Sequence, residues 1–119
     1  SVDSTLEKAL WKQPPFNASF CSSLFFSQDP VAIDSVGADF LVNEPVMLEY
    51  NSIMRSKRSM ENYLHEAALI AAPPSGIRYS DGFGHSVNNL GVHEHWNNVE
   101  EKLYSRNRGQ HEGIELLRI

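Results

Sequence analysis

The chain has 119 residues, 41% of them hydrophobic and 21% charged, with a formal net charge of −5. That is one domain or part of one, long enough for a modest core and ordinary for a soluble globular protein. An acidic chain whose densest basic group is Arg55, Lys57 and Arg58 has no phosphate track, so no nucleic-acid partner is expected.

The lone Cys21 excludes an internal disulfide, and it excludes a cysteine-held zinc ribbon or iron–sulfur cluster in this chain. It lies in an apolar stretch with no base beside it, the setting of a buried, inert thiol. No apolar run reaches the roughly 18 residues of a membrane span, and no signal peptide is visible, so no membrane partner is expected. Neither a cytoplasmic nor an exported location follows from this.

In chain order, STLEKALW (4–11) reads as a short helix stopped by Pro14-Pro15. FCSSLFFS (20–27) reads as a strand buried largely on one face. Phe20, Leu24 and Phe26 lie on one side and Cys21, Ser23 and Phe25 on the other. DPVAIDSVGADFLV carries the clearest helix signal, with Asp29 as N-cap and Pro30 at the first helical position. Ile33, Val36, Gly37, Phe40 and Leu41 repeat at helical spacing, and Gly37 suggests close approach to a sheet. Strand, tight turn and capped helix together suggest a βα unit.

Pro45 breaks that helix, and residues 43–58 fit a short helix or an irregular excursion. SMENYLHEAALIAAPPSG predicts a second main helix with Ser59 as N-cap. Its core stripe is Met60, Tyr63, Leu64, Ala67, Ala68 and Ala71, and Pro73-Pro74 ends it. His65 and Glu66 sit about 100° apart on this helix, on opposite flanks of the stripe, so they should not share one site.

Six of the seven glycines lie beyond Ser75, which makes the C-terminal half loop-rich. GIRYS and GIELLRI read as short strands, and 98–104 as a short helix capped by Asn98. The expected fold is α/β (or α+β): a small partial sheet, two main helices and a loop-rich C-terminal half. The chain is expected to be a single domain over 1–119, the C-terminal portion of a longer one. Self-association is expected too, since a partial sheet exposes edges and apolar faces.

Taken in order, DPVAIDSVGADFL, ENYLHEAAL, PPSGIRY, LGVHEHWNN and YSRNRGQHEGIEL resemble the C-terminal part of the bacterial domain of unknown function 362 family, from about Pro14 onward. The resemblance implies an α/β region and an N-terminal half of the same domain as partner. It supplies no catalytic residues, because the family lacks an assigned activity. Some members carry ferredoxin-like cysteine clusters, a property that a chain with one cysteine does not share. The 43–58 stretch is longer than in such relatives, and SDGFGHSVNN (80–89) replaces a more acidic loop.

The chemistry centres on LGVHEHWNN (90–98). Residues two apart on an extended segment project to one side, so His93 and His95 can bind one divalent metal ion. A third ligand then has to come from Glu66, His65, His111, Glu112 or Asp34. Three protein ligands with an open position would make a hydrolytic metal site. The plainer reading is a structural polar cluster in which imidazoles satisfy loop backbone and Trp96 packs beside them. A metal-free pair of Glu94 or Glu66 with a histidine is the third alternative.

An anion at the helix following Asp29, assisted by Ser27 or Arg106, is disfavoured because Asp29 occupies the free amides. Arg106-Asn107-Arg108 reads as a helix end rather than an anion site. Nucleophile-elbow, P-loop and dinucleotide-binding glycine patterns are absent.

Overall fold

A computed structural model describes residues 24–42 and 55–119. The expected helix at 4–11, the first part of the expected strand at 20–27, Cys21, and 43–54 lie outside the described residues. Two helices organise the rest: α1, Pro30–Val42, and α2, Arg55–Ala68.

α1 begins where local chemistry dictates. The Ala32 amide donates to Asp29 Oδ1 at 2.8 Å, which satisfies a first-turn N–H that has no helical partner. The other oxygen, Oδ2, accepts the Val92 amide at 2.9 Å, so the cap also pins the start of the His93 loop. Gly91 is required there, because a Cβ would sit 1.9 Å from Asp29 Oδ1.

The buried residues of α1 are Val31, Ser35, Val36, Ala38, Asp39 and Val42, whereas Leu41 of the expected stripe is 44% exposed. The helix is covered on two sides, which no single stripe can describe. Val31 and Ala38 pack against Leu64 and Ala67 of α2. Val36 packs with Trp96, Tyr104 and Ile114 of the C-terminal segment, flanked by Ala32 and Phe40. Among the described residues nothing lies within 4 Å of where a Cβ at Gly37 would stand, so no close approach to a sheet is seen there.

α2 starts at Arg55, a turn before Ser59, which is therefore within the helix rather than its cap. Leu64 and Ala67 are buried and Met60 and Ala68 partly so, but Tyr63 is exposed and Ala71 belongs to the turn after the helix. α2 thus presents a narrower core face than the sequence suggests.

The C-terminal half is loop-rich, as expected. Of the small sheet, the described residues hold one antiparallel bridge, between Ser80 and Ser86. Residues 24–27 are not a strand, and Leu24 and Phe26 are exposed while Phe25 meets Phe40 with ring centroids 5.5 Å apart. Residues 114–119, expected as a strand, form none among the described residues. Their order comes from side chains: Asn107 accepts the Tyr104 and Leu116 amides and donates to the Leu116 carbonyl. The 98–104 segment is a single turn rather than a helix. Asn98 Oδ1 does cap it, accepting from the Glu100 and Glu101 amides.

Arg106–Arg108 forms its own 3-10 turn, closed by Gly109 at φ 86°, and Arg106 pairs with Glu115 at 3.3 Å. Lys102, at φ 53°, places its ammonium 5.1 Å from the Phe40 ring centre and 5.5 Å from that of Trp96. It closes the second apolar cluster with a cation–π contact. Among the described residues no helix is long and apolar enough to cross a membrane.

Candidate metal centre

The two-sided burial of α1 brings the loop at 92–96 against one helix face and α2 against the other. His93 and His95 therefore enter the groove where the helices meet. Glu61 of α2 meets them there. One ligand atom from each of Glu61, His93 and His95 lies within 4.8 Å of the others. Glu61 Oε2 is 3.4 Å from His93 Nε2 and 3.0 Å from His95 Nε2.

Each imidazole is held from behind. Ser35 Oγ–H donates to the Val31 carbonyl at 2.8 Å, so its lone pair accepts the Nδ1–H of His93, also at 2.8 Å. That assigns the Nδ1–H tautomer to His93 and turns the Nε2 lone pair toward Glu61. His95 Nδ1–H donates to Asp39 Oδ1 at 2.7 Å. The other Asp39 oxygen accepts the Trp96 amide at 3.0 Å and the Tyr104 hydroxyl at 2.9 Å. Asp39 is 3% exposed, so these donors compensate a carboxylate removed from water.

His93 Nε2 is buried and has no hydrogen-bond partner among the described residues. Its 3.4 Å approach to Glu61 Oε2 counts as an ion pair only if the ring is protonated, and the geometry makes no hydrogen bond. Burial pushes the His93 pKa down, and repulsion from His65 and His95 adds to this, with Glu61 opposing. His93 is therefore driven toward a neutral ring whose acceptor nitrogen faces an acceptor carboxylate. For His95 burial also pushes down, but the bonds to Asp39 and Glu61 outweigh it and hold the pKa above the usual histidine value. Burial raises Glu61, yet the bond from His95 and the charges of both rings bring it below the ordinary carboxylate range.

Of the eight sequence candidates, His93 and His95 come together and His65 lies beside them, its ring centre 4.5 Å from that of His93 in an edge-to-face contact. His65 stays outside the three-atom cluster. Glu61 and His65, four apart on α2, both flank His93. Glu66 is not in the site. It accepts from the Ser75 amide, the Ser75 hydroxyl and, at 2.9 Å, the Tyr79 hydroxyl, and so holds the turn after α2. His111, Glu112 and Asp34 are exposed and outside the cluster.

Glu94 points away from its neighbours' site and accepts the Ser105 amide at 2.6 Å, the Ile114 amide at 2.7 Å and the Ser105 hydroxyl. Gly113, at φ 101°, lets the chain pass this carboxylate, since a Cβ would come within 2.5 Å of Glu94 Oε2. Glu94→Ala should lower the urea unfolding free energy by about 2–3 kcal/mol, the scale of losing charge-assisted bonds to two amides. It should leave metal binding unchanged.

Sequence reasoning missed Glu61, Asp39 and Ser35. The Glu61/His65 spacing was a usable signal, and the other two needed the fold. No protein-family model, curated protein or solved structure matches this chain.

Proposed function

We propose that Glu61, His93 and His95 bind one divalent transition-metal ion, zinc foremost, and that this chain is the metal-holding part of a longer α/β enzyme domain of the family it resembles. The observation that carries the reading is the buried His93 Nε2, a lone pair facing the Glu61 carboxylate with no donor between them. A cation satisfies both at once.

The spacing supports it. Bonds of about 2.0–2.1 Å at tetrahedral angles put donor atoms roughly 3.3 Å apart, and the two oxygen–nitrogen distances here are 3.4 and 3.0 Å. So does the surrounding shell: ligating histidines characteristically donate their second N–H to a carboxylate or other oxygen, as His95 does to Asp39 and His93 to Ser35. Two imidazoles and a carboxylate suit zinc, and three protein ligands leave a position for Lewis-acid chemistry.

A second reading has its own support. His95 reaches Asp39 and Glu61 simultaneously, so an imidazolium can stand where the cation would and knit α1, α2 and the loop into a structural cluster. Titrating the purified protein with zinc against a chelating dye separates the two. The metal reading expects one tight site per chain, and absence of saturable binding overturns it. Its pH dependence has a definite sign. The ligating rings must be deprotonated, and His95 holds its proton to a pH above its ordinary pKa. Zinc affinity should therefore climb about tenfold per pH unit below the His95 pKa and flatten above it.

The α/β class and the covering partner belong to the same proposal. Leu24, Phe26 and Leu117 are 83, 85 and 75% exposed, an apolar surface that an N-terminal half or a second copy would cover.

A further inference from the structure

Beside the metal ligands lies a cavity of about 240 Å³. Its lining mixes the polar Asp39, Glu61, His95 and Asn98 with the apolar Ala38, Val42, Trp96 and Val99. We propose that this cavity is the ligand pocket of the centre. It takes a small molecule with an anionic or strongly polar oxygen head and a short unbranched apolar tail, of the short-chain acyl class. The proposal rests on the metal reading above.

Three observations carry it. The cavity is bordered by two of the three ligands, so a group within it can reach the open position of an ion they hold. His95 is the most exposed of the three, with 46% of its side chain accessible against 18% for Glu61 and 3% for His93, and it lines the cavity, so the cavity is the open approach to an ion held there. Half of the lining is apolar, the buried Trp96, Ala38 and Val42 with Val99, which rewards a hydrocarbon tail.

Size and charge set the class. The volume falls below the roughly 300–1,000 Å³ of drug-sized pockets, which suits a small head with a short tail. Two carboxylates, Asp39 and Glu61, also border the cavity and repel an anion, so an oxygen-anion head can enter only when a cation is bound.

The test uses acetohydroxamate, butanohydroxamate and hexanohydroxamate as probes, titrated into the chain with and without bound zinc. The zinc-loaded chain should bind them one to one. Affinity should rise about fourfold per added methylene until the tail outgrows the wall, and the zinc-free chain should bind none. Val99 is 52% exposed and lines the cavity, so Val99→Trp fills the cavity at its rim. This variant should keep its zinc content and lose the gain with chain length. Equal affinity for the three probes on the zinc-loaded wild-type chain overturns the pocket assignment without recourse to any variant. So does binding without zinc, or a chain-length gain that survives in a folded, zinc-loaded Val99→Trp. A wild-type chain that takes up no zinc overturns the metal reading, and this one with it.

Discussion

Asp39→Ala is expected to lower the unfolding free energy by about 3–5 kcal/mol, the range for removing one member of a buried charged network. The carboxylate is 3% exposed and accepts from His95 Nδ1, the Trp96 amide and the Tyr104 hydroxyl. Those donors come from three places: the loop side chain, the loop backbone and the buried Tyr104 beyond it. Alanine leaves the Trp96 N–H and the Tyr104 O–H facing an apolar hole, and each orphaned buried group costs about 1–3 kcal/mol. Burial first, and Asp39 second, raise the Tyr104 pKa, so the phenol remains a donor over the whole working range. Urea unfolding at neutral pH measures the loss. A change under about 1 kcal/mol would show that the three donors find water or other partners.

Glu61→Gln is expected to do the opposite: little to stability and much to metal affinity. In the metal-free chain the glutamine oxygen can still accept from His95 Nε2, so stability should shift by no more than about 1 kcal/mol. With zinc present, the variant replaces an anionic ligand by a neutral one. Changes in the outer shell alone cost 10–100-fold, so loss of this ligand should weaken binding by more than about 100-fold. Chelator competition reads the difference. His65→Ala is the control: its ring touches His93 but lies outside the ligand set, so zinc stoichiometry should stay at one per chain. Unchanged affinity in Glu61→Gln would remove Glu61 from the set, whatever the histidines do.

What could be read from the sequence follows the range of the forces involved. The Asp29-Pro30 helix start and the Asn98 cap are local, needing only a short side chain and amides two or three residues on, and both stand as expected. The α1 stripe failed because Val31 and Ala38 bury against α2 while Val36 buries against Trp96 and Tyr104. A helix covered on two sides has no single period to find. The expected strand at 20–27 rested on alternation and aromatic content, yet its described residues 24–27 form no strand, and Leu24 and Phe26 are exposed.

In the site, His93-x-His95 was legible as a pair because two residues on one extended stretch share a side. Glu94, between them, necessarily faces the other way, and it serves Ser105 and Ile114. Asp39 precedes His95 by 56 residues, so only the fold could reveal it, whereas Glu61, 34 residues before His95, was signalled only by its helical spacing to His65.

The Asp29 carboxylate, wedged against Gly91, has a kinetic meaning beyond capping. One oxygen holds the first turn of α1 and the other the amide just before His93, so loop and helix cannot loosen separately at this end. The ordering entropy of the histidine loop is thereby spent during folding rather than at the moment of capture. On the proposed metal reading, an arriving ion would meet rings already oriented, and its entry would be limited by diffusion and by shedding its own water.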